Sequence, residues 1–262
     1  MKVNTSKTKY IIFHTKGKRV QTDRELCFND NEGASNDPTL ISTLERIHSS
    51  HPNPDSRSYK LLGILFDEHL SFTHHISHLT AKLSRAIYCI NRAKNILPKK
   101  ALISLYHSLF HSHLNYCSSI ISCTSNSNIE KISKMQKKVI RIITRSNYTA
   151  HTTPLFQDLN ILPYKSLITQ SKLLIMHTIH YQTAPSSLHN LWPKNSDLNP
   201  HYQLRNNEEY SIPRVNYSFF SNSPAYSFTS LWNSSNSLTP HRNYLTFKIQ
   251  SKQLLLFPDP DP

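Results

Sequence analysis

Glycine is nearly absent from this 262-residue chain, where only Gly17, Gly33 and Gly63 occur, against a usual share of about 7%. Glycine-built phosphate cradles are excluded with it, because neither GxGxxG nor GxxxxGK followed by Ser or Thr is present. The scarcity also argues against a sheet-rich fold that needs many left-handed turns. Cysteine is sparse: Cys27, Cys89, Cys117 and Cys123 form no CxxC pair. Disulfides are therefore not expected, and a reducing compartment is: cytoplasmic or nuclear, not secreted. Long apolar runs are missing as well. Tyr10-Ile11-Ile12-Phe13 is too short for the core of a signal peptide. Nothing approaches the roughly 20 apolar residues of a membrane span. Acids are in short supply, with 16 Asp and Glu against 30 Lys and Arg, a net charge of +14. Charge alone suggests a polyanionic partner, either nucleic acid or an anionic lipid surface. What remains is a basic, mainly helical chain.

Three stretches differ in composition. In residues 1–70, Lys9–His14 and Arg19–Thr22, joined by Thr15-Lys16-Gly17-Lys18, read as a β-hairpin. Asn29–Ser58 is rich in Asn, Asp, Ser and Pro and reads as a loop, and Tyr59–Phe66 reads as a buried strand. In residues 71–183 the period changes. Ile76, Leu79, Leu83, Ala86, Ile87, Ile90 and Ala93 recur at spacings of three and four, the stripe of one helix. Pro98 can open the first turn of a second helix, carrying Leu102, Leu105, Tyr106, Leu109, Phe110 and Leu114 to about Ile121. A third, capped by Ser127 or Asn128, turns Ile129, Ile132, Met135, Val139, Ile140 and Ile143 inward, and a fourth spans about Tyr164–His180. These helices predict a bundle with short connections. Residues 184–262, with prolines and scattered aromatics, read as a poorly structured, loosely packed extension with one late helix near Leu245–Leu256.

The third helix carries the sharpest functional signal. Lys131, Lys134, Lys138, Arg141 and Arg145 follow spacings of three and four, and at about 100° per residue they fall within an arc of roughly 80°. A helix pinned by its apolar face would present this row to a phosphate backbone, where charge neutralisation gives affinity without sequence reading. The bland reading is a solvated face, but Glu130 is the one acid nearby. The histidine pairs His74/His78 and His107/His111, with His113, lack the intervening carboxylate of HExxH, so no metal site is expected. No GxSxG elbow and no Asp-Asp dipeptide occurs, so no catalytic residues are assigned.

The order of the segments resembles the C-terminal part, palm end plus thumb, of the reverse transcriptases of non-LTR (LINE-type, jockey- or RTE-like) retrotransposons. Asn4, Lys7 and Thr8, before Tyr10-Ile11-Ile12-Phe13, are similar to the palm strand that follows the catalytic carboxylates. Tyr59-Lys60-Leu61-Leu62-Gly63-Ile64-Leu65-Phe66-Asp67 is similar to the hairpin that ends the palm and grips the primer, with Leu62 and Gly63 at its centre. Met135-Gln136-Lys137-Lys138-Val139-Ile140-Arg141-Ile142-Ile143 resembles the family's Leu-Gln-Lys-Arg helix, and Pro154-Leu155-Phe156, Ile212-Pro213-Arg214 and Leu231-Trp232-Asn233 follow in order. Phe228-Thr229 stands where the family has Gly-Pro.

The resemblance implies a small palm remnant over 1–70, a thumb-like bundle over 71–183 and an irregular extension over 184–262. It also implies an enzyme that copies RNA into DNA at two Mg²⁺ ions, whose aspartates would lie before Met1. This stretch alone is then expected to hold no cofactor and not to polymerise. Its expected partner is an RNA/DNA template–primer duplex, gripped through the third helix with Arg92, Lys99 and Lys100, and the missing fingers and palm are a further one; no membrane partner is expected. A helical protein-interaction module and a non-functional truncated product are the alternatives.

Overall fold

The computed structural model describes residues 8–18, 26–29, 41–53, 56–198, 201, 205–216, 218–235 and 241–257. The chain is mainly helical with a small β part. It forms two compact units, 1–78 and 79–262, a coarser division than the three compositional stretches.

Among its described residues the first unit holds six three-residue strands: β1 (Lys9–Ile11), β2 (Cys27–Asn29), β3 (Ile41–Thr43), β4 (Glu45–Ile47), β5 (Tyr59–Leu61) and β6 (Ile64–Phe66). They pair as three two-stranded sheets. β1 runs parallel to β4, with Lys9 opposite Glu45 and Ile11 opposite Ile47. Lys9 Nζ lies 2.8 Å from Glu45 Oε2, a cross-strand charge pair that favours this register, and Ile47 is buried. Arg19–Thr22 lies outside the described residues, as do Asn4 and Lys7; Thr8 immediately precedes β1. The presumed loop Asn29–Ser58 contains β3 and β4, strands too short to show a period. Tyr59–Phe66 is not one buried strand but the β5–β6 hairpin. Leu62 and Gly63 make its two-residue turn with φ of 48° and 86°, the two positive values of a type I′ turn. Leu62 is 82% exposed.

Helix α1 (Thr73–Ala93) buries Ile76, Leu79, Leu83, Ala86, Ile87 and Ile90, the stripe its spacing predicts. The second helix is interrupted. It comprises α2 (Lys99–Leu105), a π-helical turn at Tyr106–His111, α3 (Ser112–Asn115) and, past Cys117 at φ 50°, α4 (Ser118–Ile121). Pro98 is the residue before α2, not its first turn. Next come α5 (Asn126–Thr144), α6 (Thr153–Asp158) and α7 (Tyr164–His180). The N-cap of α5 is Ser125, earlier than expected. Asn128 is buried and its amide donates to Thr124 Oγ1 at 2.9 Å.

Gln136 braces this unit from α5. Fully buried, it donates through Nε2 to the Tyr106 hydroxyl and the Leu162 carbonyl, both at 2.9 Å, and accepts from Tyr164 N at 2.6 Å. One side chain thus joins the π turn, α5 and the start of α7, leaving none of its polar atoms unpaired.

The tail departs most from expectation. After α8 (Ser186–His189), α9 (Asn195–Leu198) and α10 (Ser218–Ser221), it forms α11 (Pro224–Ser234) and α12 (Tyr244–Leu256), and both pack on α7. Its scattered aromatics are packing groups. Phe228 joins Met176, Ile179 and Tyr210 in a buried cluster flanked by Trp192 and Trp232. Phe247, 1% exposed, stacks on His177 at 4.6 Å. Gln170 ties α7 to α12 by donating to the Lys248 carbonyl at 2.9 Å. For the described residues, the loosely packed extension with one late helix is therefore corrected.

Scarce glycine does not keep the chain out of left-handed conformations. Leu62, Leu70, Phe72, Cys117, Arg145, Asn160 and Gln182 all have φ between 48° and 55°. Each non-glycine residue there costs on the order of 1–2 kcal/mol, which surrounding packing must offset.

Candidate nucleic-acid interface

Between Leu79 and Arg145 the chain carries twelve Lys and Arg and a single acid, Glu130. That acid is already answered: a hydrogen bond from Lys165, with the charges of Lys137 and Lys134, holds its carboxyl below the usual range. Like charges on neighbouring helical turns repel when no acid is interleaved, so such a surface is costly unless an anion meets it.

The C-terminal halves of α1 and α5 enclose a groove of about 620 Å³. Ser84, Ile87, Tyr88 and Asn91 come from α1, Lys94 and Asn95 from the residues after it, and Lys138, Arg141, Ile142 and Arg145 from α5 and its cap, with Ser146 and Tyr148 beyond. Four cations, two exposed tyrosines (Tyr88, 65%; Tyr148, 82%) and two isoleucines therefore share one depression. Cations that track phosphates beside rings that can stack on bases suit an extended nucleic-acid strand or the edge of a duplex.

The two arginines are held differently from the lysines. Arg141 donates through Nε and Nη2 to the Ala150 carbonyl, at 3.0 and 2.9 Å, and its guanidinium stands 5.8 Å from the Tyr148 ring centroid. Arg145 caps α5 at φ 55° and donates through Nη2 to the Lys94 carbonyl at 2.8 Å. They build the groove by closing the 145–150 turn and joining the ends of α5 and α1, while keeping their positive charge at its edge. Lys131, Lys134 and Lys138 are exposed, and Lys131 and Lys134 extend the row along α5 beyond the groove.

The other expected residues scatter. Arg92 is exposed in the last turn of α1 but does not line the groove. Lys99 pairs with Asp158 at 2.6 Å, and Lys100 is exposed on α2. Leu62 and Gly63 belong to the other unit. Sequence reasoning missed Lys94, Tyr88, Asn91, Asn95 and Tyr148. The spacing Tyr88, Asn91, Asn95 was the available signal, a polar stripe beside the apolar one on α1.

The histidines weighed as ligands are partly packing groups. His107 and His111 meet edge to face at 5.2 Å. Burial, with the charges of His107, Lys252 and Lys248, pushes the pKa of His111 down to about 4. No helix among the described residues is long and apolar enough to cross a membrane.

No protein-family model matches the chain, and no solved structure matches it. One curated protein does: the "probable RNA-directed DNA polymerase from transposon X-element" of Drosophila melanogaster, 26% identical over 113 residues. The match covers 42% of this chain and spans 12% of that protein's length. The chain is thus similar to a portion of a transposon-encoded RNA-directed DNA polymerase.

Proposed function

We propose that this chain is the C-terminal, thumb-like portion of a non-LTR retrotransposon reverse transcriptase, and that it holds a template–primer duplex by its backbone. The observation that carries the reading is the α1–α5 groove, with Lys94, Lys138, Arg141 and Arg145 around two isoleucines and two exposed tyrosines. The similarity to a transposon polymerase supports the choice of nucleic acid over other polyanions. In this reading the Mg²⁺-binding carboxylates belong to another part of a polymerase, and this stretch supplies grip without chemistry. The grip is not sequence-specific, because cations on phosphate set position and affinity but read no bases.

Binding of a labelled RNA–DNA duplex, followed by fluorescence anisotropy, tests the proposal. Affinity should fall steeply between about 50 and 200 mM salt, as counterion release requires. Equal affinity at both salts, or no binding at either, overturns it.

A further inference from the structure

We propose that the first unit carries a zinc-class metal site formed by His14, Glu68 and His69. The pairs His74/His78 and His107/His111 drew attention by their spacing; this cluster escapes sequence inspection because 54 residues separate His14 from Glu68.

The ligand atoms of the three residues lie within 4.8 Å of one another. His14 Nε2 is 3.2 Å from Glu68 Oε2, and His69 Nε2 is 3.6 Å from Glu68 Oε1. A tetrahedral ion with bonds of about 2.0–2.2 Å sets its ligands roughly 3.3–3.6 Å apart, so small side-chain adjustments close the site. The two rings stand at 84° with centroids 4.7 Å apart, and therefore approach without stacking face to face.

Each imidazole is oriented as metal-ligating histidines usually are. His14 Nδ1 bonds the Thr15 carbonyl at 3.0 Å, and His69 Nδ1 bonds the His14 carbonyl at 3.1 Å. A carbonyl accepts, so Nδ1 carries the proton in both rings, and a neutral ring presents its Nε2 lone pair to the ion. Glu68, 5% exposed, is fixed by donation from Ser49 N at 2.9 Å and from Ser49 Oγ. Arg46 lies 3.7 Å from its other oxygen.

The backbone presets these positions. Asp67, 3% exposed, accepts at 3.0 Å from His69 N, Ser71 N and Phe72 N, which locks the turn that carries Glu68 and His69. His14 N donates to the Glu68 carbonyl at 3.0 Å, anchoring the third ligand. Two imidazoles and one carboxylate favour Zn²⁺ over Mg²⁺, which prefers oxygen ligands and water. The site is therefore separate from the Mg²⁺ chemistry of a polymerase, and three protein ligands leave a fourth position for water.

Titration of the full chain with Zn²⁺, followed by calorimetry, and with Co²⁺, followed by visible absorption, tests the assignment. One ion should bind with the intense bands of a four-coordinate nitrogen–oxygen site. His14→Ala and His69→Ala should each weaken binding by at least about tenfold to a hundredfold, while His74→Ala/His78→Ala and His107→Ala leave it unchanged. Unaltered affinity in the double variant His14→Ala/His69→Ala, or octahedral Co²⁺ bands, overturns the proposal. Should the alanine variants fail to fold, imidazole ¹⁵N resonances of the unmodified chain decide. Zn²⁺ must shift Nε2 of His14 and His69, and shifts confined to other histidines contradict the site.

Discussion

The two compact units carry charge in opposite ways. Residues 1–78 contain ten Lys and Arg against nine Asp and Glu, a net of +1, whereas residues 79–262 contain twenty against seven, a net of +13. In the first unit acids answer cations at close range, as Lys9 with Glu45 and Arg46 with Glu68 illustrate. In the second, the cations of α1 and α5 share the single acid Glu130, itself engaged by Lys165. The surplus charge is therefore concentrated on the helical unit. Core and site are also built from different residues there. α5 buries Ile132, Val139, Ile140 and Ile143 while exposing Lys131, Lys134 and Lys138, so the cations can be changed without opening the core.

That contrast can be broken at several points. The largest effect should come from Phe247→Ala, which empties a fully buried site between α7 and α12. Thermal or urea unfolding followed by circular dichroism should show a loss of about 3–5 kcal/mol; a loss under about 1 kcal/mol would mean that α12 is dispensable to the helical unit. Gln136→Leu should follow at about 3 kcal/mol, because it strands the Leu162 carbonyl, the Tyr164 amide and the Tyr106 hydroxyl in the interior.

Replacement of Lys131, Lys134 and Lys138 by Glu should weaken duplex binding by roughly a hundredfold at low salt, with the unfolding midpoint nearly unchanged. The exposed pair Lys16 and Lys18 of the first unit serves as the comparison, and reversing them should have little effect. Arg141 and Arg145 are poor choices for this test, since reversing them also removes hydrogen bonds to the Ala150 and Lys94 carbonyls.

The smallest effect concerns pH. His111, with a pKa pushed down to about 4 by burial, and His107 and His180, lowered chiefly for the same reason, all favour the neutral ring in the folded state. An unfolded histidine titrates near 6.5, so below that pH the unfolded chain binds more protons than the folded one. Stability from these groups is complete above about pH 6.5 and falls as the pH drops toward about 4. The melting temperature of the helical unit should therefore decline over this window, and His111→Asn should make the decline shallower. An equally steep decline in the variant would remove His111 from the account.

Much of the helical unit is legible in the sequence, because α1, α5 and α7 are long enough for a three-and-four apolar rhythm to repeat. The cation row on α5 is legible for the same reason. The groove is not, since Lys94 and Tyr88 meet Lys138 and Tyr148 only once α1 lies against α5. Nor does spacing reveal that Arg141 and Arg145 reach backbone carbonyls while the lysines beside them stay exposed. The three-residue strands show no period, and the parallel pairing of β1 with β4 depends on a contact 36 positions away. The aromatics of the tail misled because Phe228, Trp232 and Phe247 have their partners on α7, far back in the chain.

The salt dependence of duplex binding, measured side by side for the unmodified chain and the variant with Lys131, Lys134 and Lys138 changed to Glu, tests the central claim most directly. Each phosphate contact adds about 0.9 to the slope of log affinity against log salt on a B-form duplex. The account predicts a steep negative slope for the unmodified chain, and one shallower by roughly two to three for the variant. Identical slopes would contradict it and move the binding surface away from α5.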